Sequence, residues 1–373
     1  MEIRNRLTLL REFLAEQDIS AMIIPSNDPH FGEYVPDYYK AIEWLTGFTG
    51  EAGTLVVAQE SAALWTDSRF FVQAESQLQG TGVQLMKLKV EGTPSIPQWL
   101  KDNLQEGDIV AMDEELFSYQ EYTSMVDDLS PLTPSLIEDP FDAIWEDRPS
   151  LVFNPIRYVD ESITGESVAS KHARLSAKLS GPVPFAYIVT ALDEICWLCN
   201  IRGTDVEYNP LVLSYAVVTP ENIHLFLMEQ MLDNNTINIL SNQGVVFHPY
   251  EDVEKFLTRL PKDCVRIYSS GKISAKNFFA SMENIHHHAP FAPYAPDPAT
   301  GGVLANMKAV KNEVELEGFR RAYREDAKAQ IKVFNWIKEN INNGITEYQA
   351  VARIQARGNR MVAQIRQVDV KVV

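Results

Sequence analysis

The sequence predicts an α/β protein with mixed sheets: two consecutive units followed by a helical segment. Three observations carry this expectation. Short apolar runs alternate with stretches of helical spacing, which favours parallel strands covered by helices. In each unit two of those runs lie close enough to form a hairpin, which adds an antiparallel strand. The pattern also occurs twice, "AMIIPSNDPH…EWLTGFTG" being paralleled by "AYIVTALDEICWLCNIRG", each followed by a strand pair. At 373 residues the chain is long enough for two or three cores.

The elements follow in order. "MEIRNRLTLLREFLAEQ" is an amphipathic helix with charges throughout, unlike a signal peptide. A buried strand is expected at 19–25, a helix at 37–47 stopped by Gly47, and a hairpin from 53–58 and 62–66. A helix at 69–78, a strand at 83–88, a helix at 96–104 and a strand at 108–113 continue the alternation. A helix at 119–129 and a strand at 134–139 close the unit. Residues 139–167 are rich in proline and acids and read as a linker. The second unit repeats the scheme, with a helix at 167–179, a strand at 184–190, a helix at 192–200 and a hairpin from 211–218 and 222–228. "GVVFHPY", "DVEKFLTRL" and "CVRIYSS" complete it before a loop at 283–302. From Asn312 about thirty residues have helical spacing with many i,i+4 charge pairs, Gly344 ends them, and Thr346 caps a further helix.

Composition narrows the function classes. A formal net charge of −18 opposes nucleic-acid binding, which leaves a basic footprint. No apolar run approaches the roughly 18–20 residues that span a bilayer. Three cysteines in this length fit a reducing compartment, and a cytoplasmic location is expected.

Few motifs survive inspection. The triplet His286–His288 lies among prolines and reads as a surface loop, since consecutive histidines seldom converge on one metal. Cys196 and Cys199 match C-x-x-C but sit in an apolar helix, so they read as buried and inert. "TGFTGEAG" reads as a tight helix-to-strand turn. Nucleophile-elbow, dinucleotide and P-loop signatures are missing. "ALWTDSRFFVQAE" poses the sharper question, because Arg69 stands at the start of a helix, where the dipole disfavours a cation. Either Asp67 neutralises it locally, or Arg69 is held there for a ligand.

Five ordered blocks, "IIPSNDPHFGEY", "LTGFTGEAGTLVV", "LWTDSRFFVQAESQL", "VTALDEICWLCNIRGTDVEYNPLVLSYAVV" and "KAVKNEVELEGFRRA", resemble the large cytosolic form of Xaa-Pro aminopeptidase, aminopeptidase P. The resemblance implies two creatinase-type N-terminal domains, at 1–140 and 141–305, and the first helices of an incomplete pita-bread metallopeptidase domain at 306–373. It implies a substrate peptide with proline second, and two divalent metals, often manganese, in the complete enzyme. It also implies that Arg69, in the W-T-D-x-R-[YF]-F block, contributes to peptide binding. Ser68 replaces the usual glycine of that block, and Glu51 stands where serine is common.

The family's metal centre needs two aspartates, a histidine and two glutamates beyond the long helix. Past Glu313 the sequence has no histidine, and after residue 340 its only carboxylate side chains are Glu347 and Asp369. The chain is therefore expected to be truncated in its catalytic domain, to bind no metal cofactor and to carry no catalytic residue. The segment after Gln355, with four basic residues and one acid among 357–373, departs from the family. Two other readings stand beside this one: a non-catalytic peptide-binding or oligomerisation module, including a homodimer, and a creatinase-like handler of small amidino substrates. The block "TALDEICWLCNIRGTDVEYNP" counts against the latter. The helices at 312–356 are expected to leave an apolar face (Val314, Phe319, Ala322, Ile331, Phe334, Ile337, Ile341) without a sheet to cover it.

Overall fold

The computed structural model describes residues 3–269, 272–283, 294–295 and 302–355. The His286–His288 triplet and the divergent tail lie outside the described residues. In chain order the strands are β1 (Ala21–Pro25), β2 (Thr54–Ala58), β3 (Ala62–Thr66), β4 (Gln84–Lys87), β5 (Ile109–Asp113) and β6 (Thr133–Ile137), then β7 (Arg157–Tyr158), β8 (Phe185–Val189), β9 (Ile201–Arg202), β10 (Tyr215–Val218), β11 (Ile223–Leu227), β12 (Val245–Pro249), β13 (Val265–Tyr268) and β14 (Tyr294–Ala295).

Two six-stranded sheets result, ordered β4-β3-β2-β1-β5-β6 and β12-β11-β10-β8-β13-β14. In the first, β2 alone runs antiparallel to its neighbours β1 and β3. In the second, β10 has the same place and the same direction. The two units thus match strand for strand, β1 with β8 and β5 with β13.

The central strands are continuously apolar because both faces of each sheet are covered. Met22 and Ile24 of β1 face a cluster with Leu7, Leu10 and Leu14 of the first helix, Ile3–Glu16. Ala21 and Ile23 face the opposite cluster, around Trp65, Trp99 and Leu100. In β8 the same alternation sends Phe185, Tyr187 and Val189 to one face and Ala186 and Ile188 to the other.

Several expectations need correction. The 139–167 segment holds short helices at Phe141–Ile144 and Glu161–Thr164 and the strand β7, which pairs with β9. Elements of two to four residues show no periodicity. Part of the 283–302 loop is strand, since Tyr294–Ala295 pair in parallel with β13. Helices at Ala275–Met282 and Val303–Ala309 were not foreseen. Residues 211–214 are irregular, so β10 begins at Tyr215.

The long helix Glu313–Asn340 is tied to the second unit by its first turn. Asn312 caps Glu315 N–H at 3.0 Å and donates to Thr164 O at 2.8 Å. Trp197 Nε1 donates to Glu315 Oε1 at 3.0 Å. Trp197 also covers the buried Lys171, whose ammonium donates to Trp197 O and Asn200 Oδ1. Gly165 packs on this cap in a left-handed conformation (φ +72°), and a Cβ there would run into the side-chain amide of Asn312. Beyond that turn the helix is solvated. Phe319, Ile331 and Phe334 are 45%, 59% and 56% exposed, and Val333 is its one buried residue among those described. Residues 347–355 are helical, with Thr346 Oγ1 accepting Gln349 N–H at 3.2 Å.

Replacing Asn312 by Ala removes the cap and the Thr164 contact together. The expected loss is about 1 kcal/mol in chemical denaturation, with faster tryptic cleavage at Arg320 and Arg321. Unchanged stability and cleavage would mean that the helix is anchored elsewhere.

Candidate functional site

The carboxyl ends of β1, β3 and β5 and the start of β2 lie on one edge of the first sheet. The strand order reverses direction from β1 across to β5, and in open α/β sheets ligands bind outside the carboxyl ends at such a switch point. The corresponding edge of the second sheet faces it, and the two units dock there through equivalent segments. Tyr119 N donates to Ile273 O at 2.9 Å, Ala275 N to Phe117 O at 2.8 Å and Lys276 N to Glu114 O at 2.9 Å. Between them Ser118 and Ser274, the N-caps of their own helices, form an antiparallel bridge. The Tyr119 ring stacks on Phe278 at 3.6 Å, and Lys276 Nζ reaches Glu115 at 3.0 Å, Glu114 at 3.4 Å and Glu254 at 3.6 Å.

A second contact joins the residues that follow β1 and β8. Asp28, buried, accepts His30 N–H at 2.8 Å and Gly32 N–H at 3.2 Å, which bends the chain so that the His30 ring enters the other unit. Nδ1 of His30 lies 3.1 Å from Thr190 O and Nε2 lies 2.8 Å from the Tyr250 hydroxyl. A carbonyl only accepts, so in the neutral ring Nδ1 carries the proton and Nε2 accepts from Tyr250. Burial, opposed by the charge of Asp28, lowers the pKa of His30.

Arg69 borders a cavity of about 580 Å³ at this edge, with Ser26, Asn27, Glu33, Glu51, Thr54 and Glu121 among its walls. A neighbouring cavity of about 410 Å³ shares Glu33 and Glu51 and reaches Asp205 and Tyr208 of the second unit. The helix after β3 begins at Phe71 with Phe70 as N-cap, so Arg69 precedes it and does not occupy its first turn. Asp67 grips the guanidinium in a fork, Nε to Oδ1 at 3.0 Å and Nη2 to Oδ2 at 2.7 Å, and also accepts Arg69 N–H at 2.9 Å. Those bonds hold the Asp67 carboxyl at about 2. The pair explains how the chain tolerates Arg69 and leaves Nη1 as the guanidinium edge that Asp67 does not engage. The Arg69 side chain is 66% exposed.

Other sequence candidates fall away from this edge. Cys196 and Cys199 are buried, and burial pushes both thiols up to about 12, which removes thiolate chemistry near neutral pH. Gly47 ends the helix Ala41–Thr46 in a left-handed conformation, which accounts for its place in "TGFTGEAG". Among the described residues, no group of three or more His, Cys, Asp or Glu is arranged to hold a metal ion. Sequence reasoning missed His30, Lys276 and the serine bridge. The available signal was Asp28-Pro29-His30, an aspartate placed to turn the chain, but the partner Tyr250 is 220 residues away.

Models of the creatinase/prolidase N-terminal domain match residues 6–139 and, in a second form, 147–315. A probable Xaa-Pro aminopeptidase P of Laccaria bicolor is 33% identical over 363 residues, covering 94% of this chain and 54% of the relative. The chain belongs to the Xaa-Pro aminopeptidase P family. Xaa-Pro aminopeptidase 1 of Dictyostelium discoideum is 30% identical, covering 95% of this chain and 57% of that protein. The X-prolyl aminopeptidase of Caenorhabditis elegans, described as a cytosolic enzyme with a di-nuclear active site, superposes with a TM-score of 0.84 at 27% identity, covering 96% of this chain and 60% of the enzyme. The chain spans about half the length of the curated relatives it matches. A two-metal centre calls for ligating carboxylates and histidines around both ions, and the described residues of this family member do not fit one.

Asp113, at the carboxyl end of β5, is buried, and burial aided by the charge of Asp139 pushes it up to about 8. A carboxyl whose folded value exceeds its ordinary 3.8 keeps its proton in the fold while the unfolded chain releases it, so stability falls as pH rises from about 4 to 8. Asp113→Asn mimics the protonated form and can still accept Glu115 N–H. It is expected to gain on the parent across that window, by more than about 1 kcal/mol at pH 8. Equal pH profiles in urea denaturation would show Asp113 to be ionised.

Proposed function

We propose that these residues form the substrate-access portion of an Xaa-Pro aminopeptidase. Its carboxyl-edge cleft meets a peptide with proline second, and Arg69 contributes a substrate contact. The observation that carries this reading is the guanidinium of Arg69, held by Asp67 in the wall of the cavity along the first sheet's carboxyl edge, beside a second cavity that reaches the other unit. A forked, charge-assisted pair keeps the guanidinium plane oriented, which favours recognition of a carbonyl or carboxylate along the Nη1 edge. The names of the relatives support the substrate class, and the description of the worm enzyme as cytosolic supports a cytoplasmic site of action.

In this reading residues 1–140 and 141–305 are two creatinase-type domains, and 306–373 begin the pita-bread domain. Peptide hydrolysis, and the two divalent metals that would support it, manganese among them, belong to residues other than those described. The chain on its own binds peptide without turning it over. A second reading, an oligomerisation module that forms a homodimer, is favoured by the exposed apolar side chains of Glu313–Asn340.

An Xaa-Pro-Pro peptide carrying a fluorophore tests both binding and chemistry. The expected outcome is no hydrolysis with manganese or with chelator, and saturable binding that weakens about tenfold in Arg69→Ala, the loss of one charge-assisted hydrogen bond. Metal-dependent turnover would overturn the non-catalytic assignment. Unchanged affinity in a folded Arg69→Ala would leave the Asp67–Arg69 pair purely structural.

A further inference from the structure

The second sheet carries a pair of histidines that neither the cleft nor the docking of the units uses. We propose that His224 and His248 form a two-imidazole chelate for a divalent transition metal of the copper, nickel or zinc class. They sit on β11 and on the edge strand β12, parallel neighbours in which His224 faces Val246 and His248 faces Phe226. This register makes the two rings diagonal neighbours on one face of the sheet. Nδ1 of His224 and Nε2 of His248 are 3.0 Å apart.

That spacing is the first argument. Two nitrogens bound to one ion at about 2.0–2.1 Å in adjacent coordination positions lie roughly 2.9–3.4 Å from each other. The sheet therefore holds the pair near the span a metal requires, and turning each ring by roughly 40° aims both lone pairs at a common point. The surroundings are aromatic: Phe256 packs at 4.7 Å from His224 and 5.2 Å from His248, and Phe226 stacks on His248 at 4.7 Å.

Hydrogen bonding and nearby charge are the second argument. One ring now donates its N–H to the other across the 3.0 Å gap. When the ion enters, that proton moves to the other nitrogen of the same ring, so the chelate forms with no net proton release. The carboxylates of Glu221 and Asp252 act on His224 and His248 respectively, and Asp252 is shared with Lys255 at 3.3 Å. Negative charge is thus available to offset an incoming dication.

Metal type follows from the donors. Both rings are only half-buried, and among the described residues no third protein ligand completes the set, so water fills the remaining positions. Imidazole donors with water select copper, nickel and zinc over magnesium or calcium. A bound ion would clip β12 to β11 and secure an edge of the second sheet.

The test uses the full, untagged chain with His286–His288 replaced by alanine, so that the triplet cannot bind. Calorimetric titration with nickel or zinc is expected to show one equivalent at micromolar affinity. His248→Phe, which suits the aromatic surroundings, is expected to weaken it at least about tenfold, since loss of a partner behind a ligand already costs that much. In the parent, zinc is expected to shift the ring nitrogen resonances of His224 and His248 alone. If His248→Phe fails to fold, these resonances decide the matter. Absence of a saturable equivalent, binding unchanged in His248→Phe, or ring resonances that stay in place would reduce the pair to a hydrogen bond between strands.

Discussion

The antiparallel bridge between Ser118 and Ser274 is the constraint on which the rest of the molecule depends. Each serine follows an equivalent strand, β5 or β13, and each caps the helix after it. Docking like segment onto like is the economy of an isologous interface, here made within one chain by duplication. The His30–Thr190 contact obeys the same rule, since the two residues follow β1 and β8. Two backbone edges that would otherwise face water thereby satisfy each other, and the cleft between them takes its shape from that pairing.

Asp28, His30, Ser118 and Ser274 are buried at this junction, and burial explains both their rigidity and their cost. Asp28 turns the chain through two backbone N–H groups, and His30 enters the second unit in one tautomer. Lys276, surrounded by three carboxylates, carries its charge across the seam, with its pKa held above the ordinary value. Such groups stabilise a site only while every partner is in place, because an unpaired buried donor or charge is expensive. The junction therefore acts as a fixed scaffold for the cleft, and Arg69, exposed and oriented by Asp67, stands at its rim.

Much of the fold was legible in the sequence, and for physical reasons. β1 and β8 are apolar at every position because both sheet faces are covered, so "AMIIP" and "FAYIV" could hardly be anything else. The duplication appeared as a repeated strand, helix and hairpin order and reappears as identical strand order and direction. Short elements were not legible: β7, β9 and the turn of helix at Glu161–Thr164 owe their conformation to tertiary partners rather than to local pattern. The site was legible only in part. Arg69 and Asp67 are two residues apart and declare themselves, whereas His30 meets Thr190 and Tyr250 over separations of 160 and 220 residues. Nor does any spacing rule mark His224 and His248 as neighbours, because their approach depends on the parallel register of β11 and β12.

The most direct test of the docked-edge account is native-state hydrogen exchange at the amides of Tyr119, Ala275 and Lys276, whose hydrogen bonds cross between the units. If the junction is a rigid scaffold, these amides exchange only through global unfolding, with the same free energy as the core amides of β1 and β8. Exchange at markedly lower free energy, with β1 and β8 still protected, would contradict it and make the seam a hinge that opens while each unit stays folded.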